Sequence, residues 1–203
     1  MNIYVETNFV LELVYEQKQC ASCEKILEIC ESKKANLIIP AYSLLEPHEK
    51  LIRQANEHLK LQELFNTELR ELSLTKSYQN RLNSREDMRS LIVQSSQEIG
   101  ENFAKYREYL LKIAEIIPLN TDILLNAASA EENYKLKDPQ DAFVYVSVLK
   151  HLQENKPQQA CFLNRNSKDF NDPDMLDELQ SLNCKMFGEF DGGYKFLQAK
   201  LLS

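Results

Sequence analysis

Five short apolar runs, each followed by a stretch with helical spacing, constrain the fold of this chain more than any other feature. They are Asn2–Val5, Leu37–Ile39, Ile116–Leu119, Ala160–Leu163 and Cys184–Phe187. Each is too short for a helix, and each ends against polar residues or a turn signal. Strands that alternate with helices form a parallel sheet whose two faces the helices cover. The expected class is therefore α/β, a three-layer α/β/α arrangement around a central, mostly parallel sheet. Pro118 confines its own run to an edge of that sheet.

Spacing and punctuation place the helices between the runs. Thr7 reads as the N-cap of a helix reaching Tyr15, and a second helix spans about Gln19–Ser32, with Cys23, Ile26, Leu27 and Cys30 at helical spacing. Pro40 and Ala41 open a long helix that carries Leu44, Leu45, His48, Leu51, Ile52, Ala55 and Leu59 on one stripe. That start places Glu46 in the first turn, where the helix dipole favours a carboxylate. Residues 57–112 read as a helical hairpin inserted into a single domain of residues 1–203, with Thr75–Asp87 as its link. Lys76, Arg81, Arg85 and Arg89 gather there, as a solvated face or as a local basic patch that holds RNA. Asn120 or Thr121 caps the next helix. Asp138-Pro139 and Asp172-Pro173 each set a cap before a proline suited to the first helical position. Asp141 then falls where a carboxylate closes a capping box. Gly192-Gly193 is expected to punctuate the chain before a last amphipathic helix.

Composition narrows the function. Acidic residues outnumber basic ones 31 to 24, for a net charge of -7. Such a surface does not attract nucleic acid as a whole, so a polyanion partner needs a local basic patch or a metal ion. Four glycines argue against a Gly-rich phosphate loop. Five cysteines, with no signal-peptide pattern and no apolar stretch long enough to span a bilayer, read as reduced thiols of a cytoplasmic protein. Cys20 and Cys23 form a CxxC with no second ligand pair at zinc spacing, and small apolar helix residues are the better reading. His48, His58 and His151 are too scattered for a zinc triad and read as core-edge or surface residues.

Four positions at strand ends or helix starts remain: Glu6, Glu46, Asp141 and the loop of Asn166 and Asp169. Open parallel sheets bind ligands beyond the carboxyl ends of their strands, and these positions can converge there. Carboxylates about 4 Å apart repel by roughly 4 kcal/mol per pair near the surface, so a cluster of them needs a cation. Hard oxygen donors with open water positions suit Mg²⁺ or Mn²⁺. Such an ion lowers the pKa of a bound water and neutralises charge on a phosphodiester. The chemistry that follows is metal-assisted phosphodiester hydrolysis.

The segments IYVETNFVLEL, IIPAYSLLEP, DPQDAFVYVSVLKHL and FLNRNSKDF, in that order, resemble the four motifs of the PIN-domain nucleases. These are metal-dependent ribonucleases that include the toxins of many toxin–antitoxin modules. The resemblance maps the family's acidic positions to Glu6, Glu46, Asp141 and Asn166, with Asp169 in the closing Asp-Phe; residues 57–112 are unmatched. It implies Glu6, Glu46 and Asp141 as catalytic residues that hold Mg²⁺ or Mn²⁺, with Asn166 and Asp169 as further ligands. It also implies that Thr7 and Asn164 support the site by hydrogen bonds and that Arg165 or Lys168 contacts the phosphates of single-stranded RNA. An antitoxin or other protein partner and a homodimer belong to the same implication. Two positions depart from the family pattern, Glu6 where Asp is usual and the neutral Asn166. They raise the alternative of a decayed nuclease kept as an RNA-binding or protein-interaction module. An aspartyl-phosphate receiver or phosphatase shares the sheet type, but here Glu, not Asp, follows the first strand and no DxD follows it.

Overall fold

The computed structural model describes every residue except 76–84, 135, 137, 167–169, 171 and 202–203; for 85–90 it describes the backbone alone. The strands are β1 (Asn2–Val5), β2 (Asn36–Pro40), β3 (Ala114–Ile117), β4 (Ala160–Leu163) and β5 (Cys184–Phe187). They form one sheet in the order β3-β2-β1-β4-β5, with all four pairings parallel. The described helices are α1 (Thr7–Val14), α2 (Cys20–Glu31), α3 (Tyr42–Ser73), α4 (Arg85–Ile113), α5 (Thr121–Tyr134), α6 (Pro139–Asn155), α7 (Pro173–Ser181) and α8 (Phe190–Leu201). This is the three-layer α/β/α class that the alternation predicts. The chain builds outward from β1 to one side through β2 and β3, and to the other through β4 and β5. The switch point, where such sheets bind ligands, is therefore between β1 and β4.

Register divides the core in two. Tyr4 lies beside Ile38 and Phe162 on the neighbouring strands, and the three join Ala142, Tyr145 and Met175 in one buried cluster. Side chains alternate along a strand, so Ile3, Leu37 and Cys161 face the other layer. There Phe9 of α1 meets Phe190 of α8 edge to face, with centroids 5.4 Å apart.

The chain divides into two compact units, Met1–Pro47 with Lys105–Ser203, and His48–Ala104. The first holds the whole sheet. In the second, the His48 ring stacks on Phe103 and His58 Nδ1 lies 3.1 Å from the Ser96 hydroxyl, so α3 and α4 run antiparallel there.

Three expectations are corrected. Glu6, not Thr7, caps α1: its carboxylate accepts the Asn8 N–H, and Thr7 becomes the first helical residue. Glu46 lies in the second turn of α3, because the Ala41 N–H is still bonded to Ile117 across the sheet and the helix starts only at Tyr42. The apolar stripe along α3 is mostly exposed. Leu45, Ile52 and Leu59 are 59, 51 and 58% exposed, and Leu44 alone of the seven is buried. Gly192 and Gly193 lie inside α8 rather than before it. A Cβ on Gly193 would come within 2.5 Å of Leu163 Cδ2, so a glycine is what lets α8 approach β4 this closely.

Candidate active site

Glu6 follows β1 directly, at the carboxyl end of the central strand. Its Oε2 accepts the Asn8 N–H at 2.7 Å, and its Oε1 accepts the Arg165 N–H from the loop after β4 at 3.2 Å. The side chain is buried. Burial pushes its carboxyl up to about 7, against the pull of these two N–H groups, and the Glu46 charge adds to the push.

Glu46 is tied to the same place by Thr7, whose hydroxyl donates to Glu46 Oε2. Asp138 caps α6 by accepting the Gln140 N–H at 3.0 Å, with Pro139 in the first turn. Asp141 therefore sits in the first turn of α6. Its Oδ2 accepts from Asn166 Nδ2 at 3.0 Å, and the Asn166 N–H donates to Asn164 Oδ1 at 2.7 Å. Glu46, Thr7, Glu6, Arg165, Asn166 and Asp141 are thus joined in one line of bonds and chain neighbours across the ends of β1 and β4. Asn164 is buried, and its Nδ2 has no hydrogen-bond partner among the described residues. Lys168 and Asp169 lie outside the described residues, as do Lys76 and Arg81 and the side chains of Arg85 and Arg89.

Spacing alone does not reveal Glu12. Its side chain is fully buried, pairs with Arg165 Nη1 and accepts the Gln19 N–H. The same Nη1 donates to Gln17 Oε1 at 3.2 Å. The guanidinium expected on a phosphate is thus bonded to Glu12, and it anchors the loop whose N–H caps Glu6. A signal for this existed. Glu12 is the one carboxylate in an eight-residue helix with seven residues buried, and a buried charge calls for a cation. His151 is also engaged, between Tyr4 Oη at 2.8 Å and Glu115 Oε1 at 3.1 Å. The cysteines are free thiols, and burial pushes Cys20 up to about 11 and Cys23 higher still, as fits helix packing residues.

Among the described residues no three His, Cys, Asp or Glu side chains gather as one ion-holding group. The donors still suit a hard divalent cation. Burial, and to a lesser degree the Glu46 charge, disfavours the charged form of Glu6, a penalty that a cation would offset, and Mg²⁺ keeps several waters and needs only one or two protein carboxylates.

A parallel sheet covered on both faces, with Glu6, Glu46 and Asp141 tied through neighbours near its switch point, defines an α/β domain with acids beyond the carboxyl ends of its strands. The PIN domain matches the chain over residues 3–170, and the chain belongs to the PIN-domain family. No curated protein and no solved structure matches it. PIN domains have a nuclease-type fold, usually act as nucleases and typically use divalent metals. Helix α7, strand β5 and helix α8 lie beyond the matched span. No described helix is long and apolar enough to cross a membrane.

Proposed function

We propose that this protein is a Mg²⁺- or Mn²⁺-dependent endoribonuclease that hydrolyses single-stranded RNA in the cytoplasm. The supporting observation is the bonded line that links Glu46 and Glu6 to Asp141 across the ends of β1 and β4. Glu6 and Glu46 hold the cation, and Asp141 reaches it directly or through water. Asn166 offers a neutral oxygen, and Asp169 is the remaining acid of that loop. A divalent cation held there would lower the pKa of a water and neutralise charge on the phosphodiester. Asp141 orients the attacking water. Thr7 fixes one Glu46 oxygen, and Asn164 fixes Asn166. Arg165 holds the loop through Glu12, which leaves Lys168 for the phosphate. An antitoxin-type or other protein partner and a homodimer are part of the same proposal.

Asp141→Asn is expected to keep the fold, read by circular dichroism, and to remove Mn²⁺-dependent cleavage of a single-stranded RNA. Cleavage by the wild type in EDTA, or an unimpaired variant, overturns the reading. A decayed PIN fold is the second reading, favoured by Asn166, which sets an amide rather than an acid against Asp141. It expects saturable binding of RNA or protein with no cleavage at any metal concentration. It also expects a Tm that does not move with Mn²⁺, because a ligand of the folded state raises stability with its concentration.

A further inference from the structure

Strand β5 is an edge of the sheet and lies outside the span matched to the family. The Ala160 N–H donates to the Asn183 carbonyl, and the Asn164 N–H to the Phe187 carbonyl, both at 2.9 Å. In a parallel pair the N–H and C=O of one residue point the same way, and the direction alternates along the strand. Asn183, Lys185 and Phe187 therefore face β4, and Cys184 and Met186 turn their N–H and C=O groups to the open edge. Asn183, Cys184, Lys185 and Met186 line a groove of about 710 Å³ that reaches round the amino end of β5 to Gln158, Gln159 and Ala160 before and at the start of β4. Leu176 and Gln180 of α7 and Phe196 and Lys200 of α8 also line it. Its charged lining is Lys185 and Lys200, with no acid among the described lining residues, in a chain of net charge -7.

A lysine on an edge strand commonly blocks pairing. Here Lys185 Nζ is folded back over the rings of Phe187 and Phe196, 5.1 and 5.6 Å from their centroids. The ladder is left open while the charge stays beside it. We propose that this groove takes an extended, acidic peptide segment of a partner protein as a sixth strand along β5. The backbone ladder supplies affinity, and alternate side chains supply specificity. One set meets Leu176 and Met186, and the other brings carboxylates to Lys185 and Lys200. A second copy of β5 is disfavoured, because pairing two such edges crowds like-charged lysines together. RNA has no alternating backbone donors for the ladder. The inference does not rest on the nuclease reading.

The test uses the full chain and a fluorescein-labelled synthetic peptide of alternating valine and glutamate. Saturable binding is expected, with the amide signals of Cys184 and Met186 moving most in NMR titration. N-methylation of the peptide at its valines or at its glutamates is expected to abolish binding in one series and spare it in the other. That alternation belongs to a strand ladder and not to charge alone. Lys185→Glu with Lys200→Glu, both exposed and tolerable to the fold, is expected to weaken binding at least about tenfold, and a lysine-for-glutamate peptide is expected not to bind. No binding, equal effects of the two N-methyl series, self-association through β5, or tighter binding of oligouridine at the same residues each overturns the proposal.

Discussion

The sheet unit and the hairpin unit bury their residues in opposite ways. In the sheet unit, carboxylates sit inside and are bonded: Glu6 to two backbone N–H groups, Glu12 to Arg165 and Gln19. In the hairpin, apolar residues such as Ile52, Leu59, Leu64 and Leu91 sit outside, and Phe103 alone is buried among the described residues of that unit. A sheet covered by helices on both faces can enclose a polar group and supply its partners. Two helices lying side by side cover one face of each other, so helical spacing there leaves most apolar positions partly exposed. The difference teaches where a site can be built. Acids are held in place where partners are forced on them, so single polar changes are expected to act strongly in the sheet unit and weakly in the hairpin.

The largest contrast is in activity. Loss of a residue that merely supports a metal ligand already costs about 10–100-fold. Asp141→Asn is therefore expected to lower Mn²⁺-dependent cleavage by at least about a hundredfold. Glu57→Gln, on the exposed face of the hairpin, is expected to leave it unchanged. Equal losses in the two variants, measured by single-turnover cleavage of a labelled RNA, break the comparison.

Stability provides the next contrast. Arg165→Met strands the Glu12 charge inside the protein. Removing one partner of a buried pair costs about 3–5 kcal/mol, and the low end applies because the Arg165 side chain is 39% exposed. About 3 kcal/mol is therefore expected from urea unfolding, with partial recovery on adding Glu12→Gln. Glu98→Ala removes an exposed partner of Gln94 in the hairpin, and a change within about 0.5 kcal/mol is expected.

Glu6 adds a pH test. Its carboxyl titrates near 7 in the folded chain against 4.5 as a free side chain, so the folded state binds more protons between those values. The stabilisation from that proton is complete below pH 4.5 and is lost as pH rises through 7. A difference of this size amounts to about 3 kcal/mol. In EDTA, the stability of wild type relative to Glu6→Gln is expected to fall by about that much across the window, and Mn²⁺ is expected to restore part of it at the upper end. A flat difference across the window shows that Glu6 is not held in a desolvated place.

Much of this arrangement was legible in the sequence. The five apolar runs locate the five strands, though β3 begins and ends two residues before its run and leaves Pro118 outside the strand, and Asp138-Pro139 and Asp172-Pro173 mark real caps. Local rules suffice there, because a cap or a short buried strand is decided by its own residues. Glu6, Glu46, Asp141 and Asn166 stand out by position, yet the bonds linking them run through Thr7 and Arg165. The loop points Arg165 or Lys168 to phosphate, because a basic residue in a polar loop gives no hint of a buried acid 153 positions away. The exposure of the α3 stripe is not legible for a related reason. Periodicity shows that a helix has an apolar side and is silent on whether anything covers it.

The finest contrast is between two glycines within helices. Gly193 of α8 faces Leu163 on β4, and an added Cβ would lie 2.5 Å from Cδ2 and 3.3 Å from Cδ1 of a fully buried side chain. Overpacking of this kind costs about 1–3 kcal/mol, and alanine's better helix propensity returns up to about 1. Gly193→Ala is expected to destabilise by about 1–2 kcal/mol on that balance. Gly100 of α4 has nothing within 4 Å of where its Cβ would stand, so Gly100→Ala keeps the propensity gain alone, about 1 kcal/mol of stabilisation. Opposite signs in urea midpoints, for one substitution in two helices, follow if helix packing against the sheet decides the first and backbone freedom the second. The same sign in both would mean that α8 can draw back from β4 at little cost, and that the close approach at Leu163 does not hold that layer in place.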